Sequence, residues 1–353
     1  MSWSIENALD AFPKYRQQWD DLNAATGDHI LLDSRFVHPL LEKDRSAKQP
    51  VLLATFKSMS EPAMLLLKKT GIGSWSLFQP SQQPIGMVLF SPSANASEKV
   101  EDLLYSLPGL GLVLGITQQD PDHTFFQQRD TRSNREFIRY IQTGRIMLTK
   151  DFEYYWNDRP QDLRDNNARR RRKLERQGVE CKLEELRLPG QMTEGIRNYS
   201  RMEQSGWKFR SGTAVGDQDP QGTFYRKILE LFCERGEGAI YQLLFNGNPV
   251  ASQICITRGG MVISLKIAYD EQFRSAAPGF LLQEEIIRHL YKNSDMRLME
   301  FYGRVTEGWT KKWTDEIRTM FHVNFYRNVQ VRSGIHFLKS ILTRKKGTLL
   351  GES

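Results

Sequence analysis

The chain is short of cysteine, of clustered histidine and of long apolar runs, and each shortage closes a class of function. Its three cysteines, Cys181, Cys233 and Cys255, lie far apart with no CxxC spacing. An odd number so widely spread in 353 residues makes no disulfide framework and fits a reducing compartment. The six histidines are scattered, with no HExxH and no Cys/His cluster at ligand spacing, so no metal is expected. Neither GxxxxGK[ST] nor GxSxG occurs, which removes the Walker phosphate loop and the hydrolase nucleophile elbow. Gly109-Leu110-Gly111 precedes an apolar run instead of joining a strand to a helix, so it does not read as a dinucleotide turn. The longest apolar candidate, residues 103–116, is broken by Pro108, Gly109, Gly111 and Gly115 and is short of the ~20 residues a membrane span needs. Residues 1–10 include Glu6 and Asp10 and lack the charged start and apolar centre of a signal peptide. A cytoplasmic protein is expected, with the inner face of the membrane as its peripheral alternative.

What is present is basic in two places only. The formal charge is +7, yet residues 164–176 alone carry +5 and residues 332–353 carry +4, which leaves about −2 for everything else. Specific DNA binding is therefore not expected, and two local basic segments need a cause. The five consecutive cations of 169–173 fan around a helix at about 100° per residue, so they cannot all serve one face. They suit either a phosphate-bearing partner or a solvated helix paired with nearby acids. Ile335, Leu338, Ile341 and Leu342 with Lys339, Arg344, Lys345 and Lys346 form a short basic amphipathic segment. It suits an anionic membrane surface or a packed terminal helix.

Hydrophobic patterning predicts the same architecture twice. Runs at 51–57, 63–69, 75–79 and 85–90 read as a meander of short strands. A helix over 98–107 follows, with Val100, Leu103, Leu104 and Leu107 at helical spacing, then a strand over 110–116. After Asp151 come helices over 152–156 and 163–177, a stop at Gly178, and a strand over 179–188. Two more helices follow, over 192–204 and 223–235. Strands over 239–245, 249–257 and 261–269 are joined at Asn246-Gly247-Asn248 and Arg258-Gly259-Gly260. A loop over 270–278, a helix over 279–291 and a strand over 298–302 complete the second round. An α/β (α+β) protein of two similar domains is expected, divided near Thr149 into 1–149 and 150–330, with a tail over 331–353.

The segment from Tyr269 to Leu282 carries the chemistry. A strand ends at Tyr269-Asp270 and passes through Arg274-Ser275-Ala276-Ala277-Pro278-Gly279 into a helix. A helix N-terminus presents free N–H groups and partial positive charge, which suit a phosphate or pyrophosphate. Small residues at Ser275, Ala276, Ala277 and Gly279 allow close backbone approach, and Arg274 adds a charge. A plain helix start with Pro278 in its first turn is the alternative.

Several motifs in order extend this reading: Gly206-Trp207-Lys208, Ser211-Gly212-Thr213-Ala214, the Asn246-Gly247 hairpin, Tyr269-Asp270 with Pro278-Gly279-Phe280-Leu281-Leu282, and Lys312-Trp313. Together they resemble the CelD/BcsL branch of the GNAT acyltransferases, which is similar in layout to the FemAB-type double-GNAT proteins. The chain departs from ordinary GNAT sequences in lacking the Q/R-x-x-G-x-G/A turn. The resemblance implies two tandem GNAT-like domains, each a mostly antiparallel mixed sheet flanked by helices, the first degenerate and the second catalytic. It implies an acyl-CoA, acetyl-CoA in the simplest case, as co-substrate, held by Arg274, Ser275, Ala276 and Ala277 with Pro278, Gly279 and Phe280. An amine or hydroxyl acceptor, from a cell-envelope or exopolysaccharide precursor, then attacks the thioester directly. Glu203 and Asp270 become candidate bases and Tyr269 and Tyr302 candidate donors to the departing thiolate. Trp207 offers an aromatic face to a saccharide, Lys208 and Lys312 suit an anionic group, and Trp313 completes the acceptor set. The rival readings are a FemAB-like aminoacyl-tRNA-dependent transferase, with 169–173 on the tRNA, and a non-catalytic GNAT-like scaffold at the membrane.

Overall fold

The computed structural model describes residues 2–45, 48–126, 132–204, 216 and 219–338. Its elements begin with β1 (Trp3–Asn7), α1 (Ala8–Ala25), α2 (Ser34–Lys43), β2 (Leu52–Phe56), β3 (Ala63–Gly71) and β4 (Ser74–Leu77). Next come β5 (Val88–Phe90), α3 (Ala96–Ser106), β6 (Val113–Gln119), β7 (Arg135–Met147), α4 (Phe152–Asn157), α5 (Gln161–Arg176) and β8 (Cys181–Leu186). The chain continues with α6 (Met192–Gln204), α7 (Pro220–Cys233), β9 (Gly238–Phe245), β10 (Asn248–Arg258) and β11 (Met261–Tyr269). It ends with α8 (Pro278–Leu290), β12 (Leu298–Glu300), α9 (Thr310–Trp313) and β13 (Ile317–Tyr326).

The compact units are discontinuous in sequence, which changes the expected cut near Thr149. One is built from the described residues of 1–34, 44–141 and 319–353, the other from 35–43 and 142–318. Helix α2 goes with the second unit because its side chains find partners there. Phe36 meets Phe224 edge-on at 5.5 Å, and the Arg35 guanidinium bonds Glu237 at 2.6 Å.

In the first unit the strand order is β1-β2-β3-β4-β6-β13, with β5 also on β3. Every pair is antiparallel except β4 with β6. Helix α3 starts where the Asn95 side chain accepts the Glu98 N–H, and its Val100, Leu103 and Leu104 are buried as their spacing requires. They pack with Leu114 and Ile116 of β6 and Phe325 of β13.

In the second unit the order is β7-β12-β11-β10-β9-β8, antiparallel except for β11 with β12. Every residue of β9 is buried, because helices cover both faces of the sheet. Tyr241, Leu243 and Phe245 share one core with Leu281, Leu282 and Ile286 of α8. On the opposite face, α6 approaches so closely that a Cβ on Gly195 would lie 2.6 Å from the Ile240 side chain. Both units therefore run through antiparallel strands, a helix, and a strand that joins in parallel.

Strand β8 is tied to α8 by charge. Glu185 lies 3.3 Å from His289 Nε2 and 2.6 Å from the Arg187 guanidinium. Burial by itself raises the Glu185 pKa, but the hydrogen bonds from His289 and Tyr241 and the Arg187 charge outweigh it and hold the carboxyl at about 2. A depressed folded-state pKa gives stability that is present above the unfolded value of 4.5 and lost as pH falls toward 2. Melting temperature measured across that window is expected to fall less steeply for Glu185→Gln than for the parent. Parallel curves would show that this carboxylate does not set the acid limb.

Candidate active site

Strands β11 and β12 form a fork. Their parallel register runs only over Met261↔Leu298, Val262↔Met299 and Ile263↔Glu300. Beyond Ile263, β11 keeps β10 as its partner through Tyr269. The pairing with β10 skips Leu265, a bulge that bends a strand and increases its twist. On the other arm, Glu300 turns the chain away. Its carboxylate accepts the N–H groups of Phe301 and Tyr302 at 3.1 and 3.4 Å and lies 2.7 Å from the Arg318 guanidinium. Tyr302 takes a left-handed φ of 49°, so β12 cannot continue beside β11. Among the described residues, no strand pairs with the edge of β11 from Ser264 to Tyr269 on that side.

The open edge leads directly to the start of α8. Residues 270–278, expected as a loop, contain a 3-10 turn (Glu271–Ala276) that Asp270 caps by accepting the Gln272 N–H at 3.0 Å. Ala277 then adopts φ 45° and ψ 58°, and α8 begins at Pro278 with no side-chain cap. Pro278 carries no N–H and the Phe280 N–H donates to the Ala277 carbonyl at 3.0 Å, so the Gly279 N–H is the first-turn donor left for a ligand among the described residues. Gly279 is buried, and a Cβ there would sit 3.6 Å from Tyr269 Cδ1, which places the end of β11 against the helix start.

The expected catalytic residues are distributed around this fork. Glu203 is 3 % exposed in the last turn of α6, which packs on β10 and β11, and the Tyr199 hydroxyl donates to its Oε1 at 2.9 Å. Burial, with the Glu203 charge, pushes the Tyr199 phenol well up, so this tyrosine stays protonated. The Tyr269 hydroxyl donates to Glu271 Oε1 at 3.1 Å; burial and that carboxylate raise its pKa as well. Tyr302 is buried with the Arg318 guanidinium 5.2 Å from its ring centre. Asp270 is committed to its cap.

The remaining assignments separate. Arg274 and Ser275 are exposed on the turn, while Ala276 and Ala277 are half-buried. Phe280 enters an aromatic stack, 5.9 Å from Trp313 and 4.9 Å from Trp309. Trp313, expected as a substrate contact, is fully buried between Phe280 and Trp156. Lys312 is paired with Asp162 at 2.6 Å, tying α9 to α5. Trp207 and Lys208 lie outside the described residues, as do 339–353 of the basic tail. Among the described residues no helix is long and apolar enough to cross a membrane, and no group of His, Cys, Asp or Glu can hold a metal ion.

Two features are not apparent from sequence motifs. The Glu300–Arg318 pair joins residues 18 positions apart that no local spacing relates. The run 169–173 divides: Arg171 pairs with Glu284 and Glu285 of α8, whereas Arg170 and Lys173 have no carboxylate partner among the described residues. Their i,i+3 spacing is the signal that sets those two apart from Arg171.

Residues 161–311 match the family model described as the acetyltransferase (GNAT) domain. No curated protein gives a match. Among solved structures the chain is similar to FemX, at 10% identity over 91% of this chain and 98% of that one, with a TM-score of 0.59. It is also similar to L-PGS from Bacillus licheniformis, at 11% identity over 88% and 92% of the two chains, with a TM-score of 0.54. At such identities the likeness concerns the fold. The protein thus has an α/β fold of two GNAT-like units, each a mostly antiparallel mixed sheet flanked by helices, and its residues 161–311 are similar to the acetyltransferase (GNAT) domain.

Proposed function

We propose that the fork of β11 and β12 binds an acyl-CoA and that the protein transfers its acyl group, acetyl in the simplest case, to an amine or hydroxyl. The observation that supports this most directly is that β12 leaves β11 after Ile263 and that β11 then runs on to a helix start with no side-chain cap. A pantetheine arm carries two amides and can pair with a free strand edge as an added strand does, while the diphosphate meets the first turn of α8. The thioester then lies inside the fork. The acceptor attacks its carbonyl carbon, and the tetrahedral oxyanion collapses with loss of the thiolate. Glu203 takes the acceptor proton, and Tyr302 or Tyr269 donates a hydrogen bond to the leaving sulfur. A saccharide acceptor from a cell-envelope or exopolysaccharide precursor rests on the sequence resemblance, with Trp207 and Lys208 as its contacts.

Calorimetric titration with CoA, acetyl-CoA and longer acyl-CoAs tests the reading. An indole introduced by Gly279→Trp has to occupy the space between the end of β11 and the start of α8. Acyl-CoA affinity is expected to fall by at least about a hundredfold, some 2.7 kcal/mol, in a variant that still melts cooperatively. No binding by the parent protein would overturn the acyl-CoA donor and make tRNA the next ligand to titrate.

A further inference from the structure

At one end of the first unit's sheet, four strand ends are tied into a row. The Leu112 N–H donates to the Gly73 carbonyl at 2.8 Å, the Arg327 N–H to Leu112 at 2.9 Å and the Tyr326 N–H to Asn134 at 2.9 Å. The row joins the β3–β4 turn, the start of β6, the end of β13 and the start of β7. Apolar side chains stand outward from it. Ile72, at the tip of the β3–β4 turn, is 96 % exposed. Leu110, whose carbonyl lies 3.0 Å from where a Cβ on Gly73 would sit, is exposed as well, and so is Tyr105, whose hydroxyl donates to the Arg327 carbonyl at 3.3 Å. A helix over 329–338 leaves the same end and is docked along one side. Asn328 caps it by accepting the Val331 N–H at 2.8 Å, Arg332 donates to the Ser133 carbonyl at 2.9 Å, and His336 Nε2 lies 3.4 Å from Glu136. Val331, Arg332 and Ile335 are half-buried on that side. At about 100° per residue, Val329, Ser333 and Phe337 fall on the other side and are exposed, and Leu338 next to them is 60 % exposed.

The charge at this end is predominantly of one sign. From Arg327 to Lys346 the sequence holds six Lys and Arg and no Asp or Glu. The Arg327 guanidinium stands 4.4 Å over the Tyr105 ring, and neither it nor the exposed Lys69 of β3 is ion-paired with a carboxylate among the described residues. Of the acids nearby, Glu101 is paired with Arg135 at 2.8 Å and Glu136 accepts from the Tyr326 hydroxyl at 2.6 Å, which leaves Asp102 of α3 as an exposed one. Exposed apolar side chains set among cations with aliphatic stems suit a bilayer with anionic headgroups: the apolar groups enter the acyl boundary while the cations stay at the phosphates. We infer that this end of the first unit docks on an anionic lipid bilayer, with Ile72, Leu110, Phe337 and Leu338 entering it and the cations of 327–346 on the headgroups. The helix over 329–338 is then a bridge, with Val331 and Ile335 turned to the protein and Phe337 to the lipid. The inference concerns where the protein works and is independent of the acyl-CoA reading.

The test is co-sedimentation of the full chain with vesicles of phosphatidylglycerol and phosphatidylcholine in equal parts, set against phosphatidylcholine alone. Binding to the mixed vesicles is expected to be at least about tenfold tighter, and raising salt from about 0.1 M to about 0.5 M is expected to remove most of that difference. Phe337→Ser/Leu338→Ser and Ile72→Asn/Leu110→Asn change exposed side chains on different elements. Each is expected to weaken binding to the mixed vesicles about tenfold or more with Tm unchanged. Met59→Asn alters an equally exposed apolar residue beyond the opposite end of β3 and is expected to bind like the parent. Equal binding to both kinds of vesicle, or to neither, would overturn the inference. So would anionic-vesicle binding that both double variants retain in full, since the basic residues by themselves would then account for it. Sedimentation velocity addresses the other occupant: a dimer of the parent that Ile72→Asn/Leu110→Asn separates, in a protein that ignores vesicles, would assign the surface to a second copy and overturn the lipid reading.

Discussion

Changing Glu203 to Gln is expected to slow acyl transfer by about 10²–10⁴-fold while leaving acyl-CoA affinity unchanged. The carboxylate is held in the last turn of α6 with the Tyr199 hydroxyl 2.9 Å from Oε1. Glutamine keeps an acceptor oxygen for that hydroxyl and the same shape, so the buried site remains filled. What it loses is the capacity to take a proton. Tyr199 and Tyr225 cannot substitute, because burial raises both phenols and keeps them protonated throughout the working range. Glu203→Ala makes a useful contrast. It strands the Tyr199 hydroxyl in the core and adds a stability cost of roughly 1–3 kcal/mol to the loss of rate. Single-turnover kinetics at saturating acyl-CoA, with Tm measured in parallel, separate the two effects. A Glu203→Gln protein with a rate within about threefold of the parent would remove Glu203 from the chemistry and leave acceptor proton loss to solvent.

The hairpins of the second unit are legible in the sequence because their turns are chemically specified. Asn246, Gly247, Gly259 and Gly260 all have positive φ, which few other residue types tolerate, and the alternation on either side then fixes the strands. Helix α3 is legible for a similar local reason, since its apolar spacing and its Asn95 cap agree. Strand β7 is not, because several of its central residues are exposed and its pairing with β12 is settled by distant partners. The fork itself depends on the Leu265 bulge and on Glu300, whose carboxylate is positioned by Arg318. A strand pattern over 298–302 reports the apolar residues but not the buried acid that ends the strand two residues earlier. The division of the run 169–173 is likewise a tertiary property: only the docking of α8 decides that Arg171 is neutralised and Arg170 is not.

Trp313 shows most plainly how the same residue carries different expectations in sequence and in structure, and Trp313→Ala is expected to destabilise the second unit by about 3–5 kcal/mol. The indole is fully buried, with Trp156 at 6.3 Å and Phe280 at 5.9 Å stacked on it and Trp309 edge-on at 5.8 Å. The Tyr155 hydroxyl also donates to the Trp313 carbonyl at 2.8 Å, which fixes the backbone of α9. Truncation empties the centre of this stack, and for a unit of this size the loss corresponds to a Tm lower by roughly 10 °C. Trp313→Phe is expected to cost much less, because it keeps a ring in the stack and removes an indole N–H that has no partner among the described residues. Phe280 couples the core to function: it belongs to the first turn of α8, so loss of its stacking partner loosens the helix start that faces the donor. Acyl-CoA affinity should therefore fall in Trp313→Ala and recover in Trp313→Phe, in step with Tm. A substrate contact predicts the opposite division, with acceptor KM raised in both variants and Tm unchanged. Melting curves and acceptor kinetics on the two proteins decide between a packing residue and a recognition residue, and full burial of the indole places the expectation on packing.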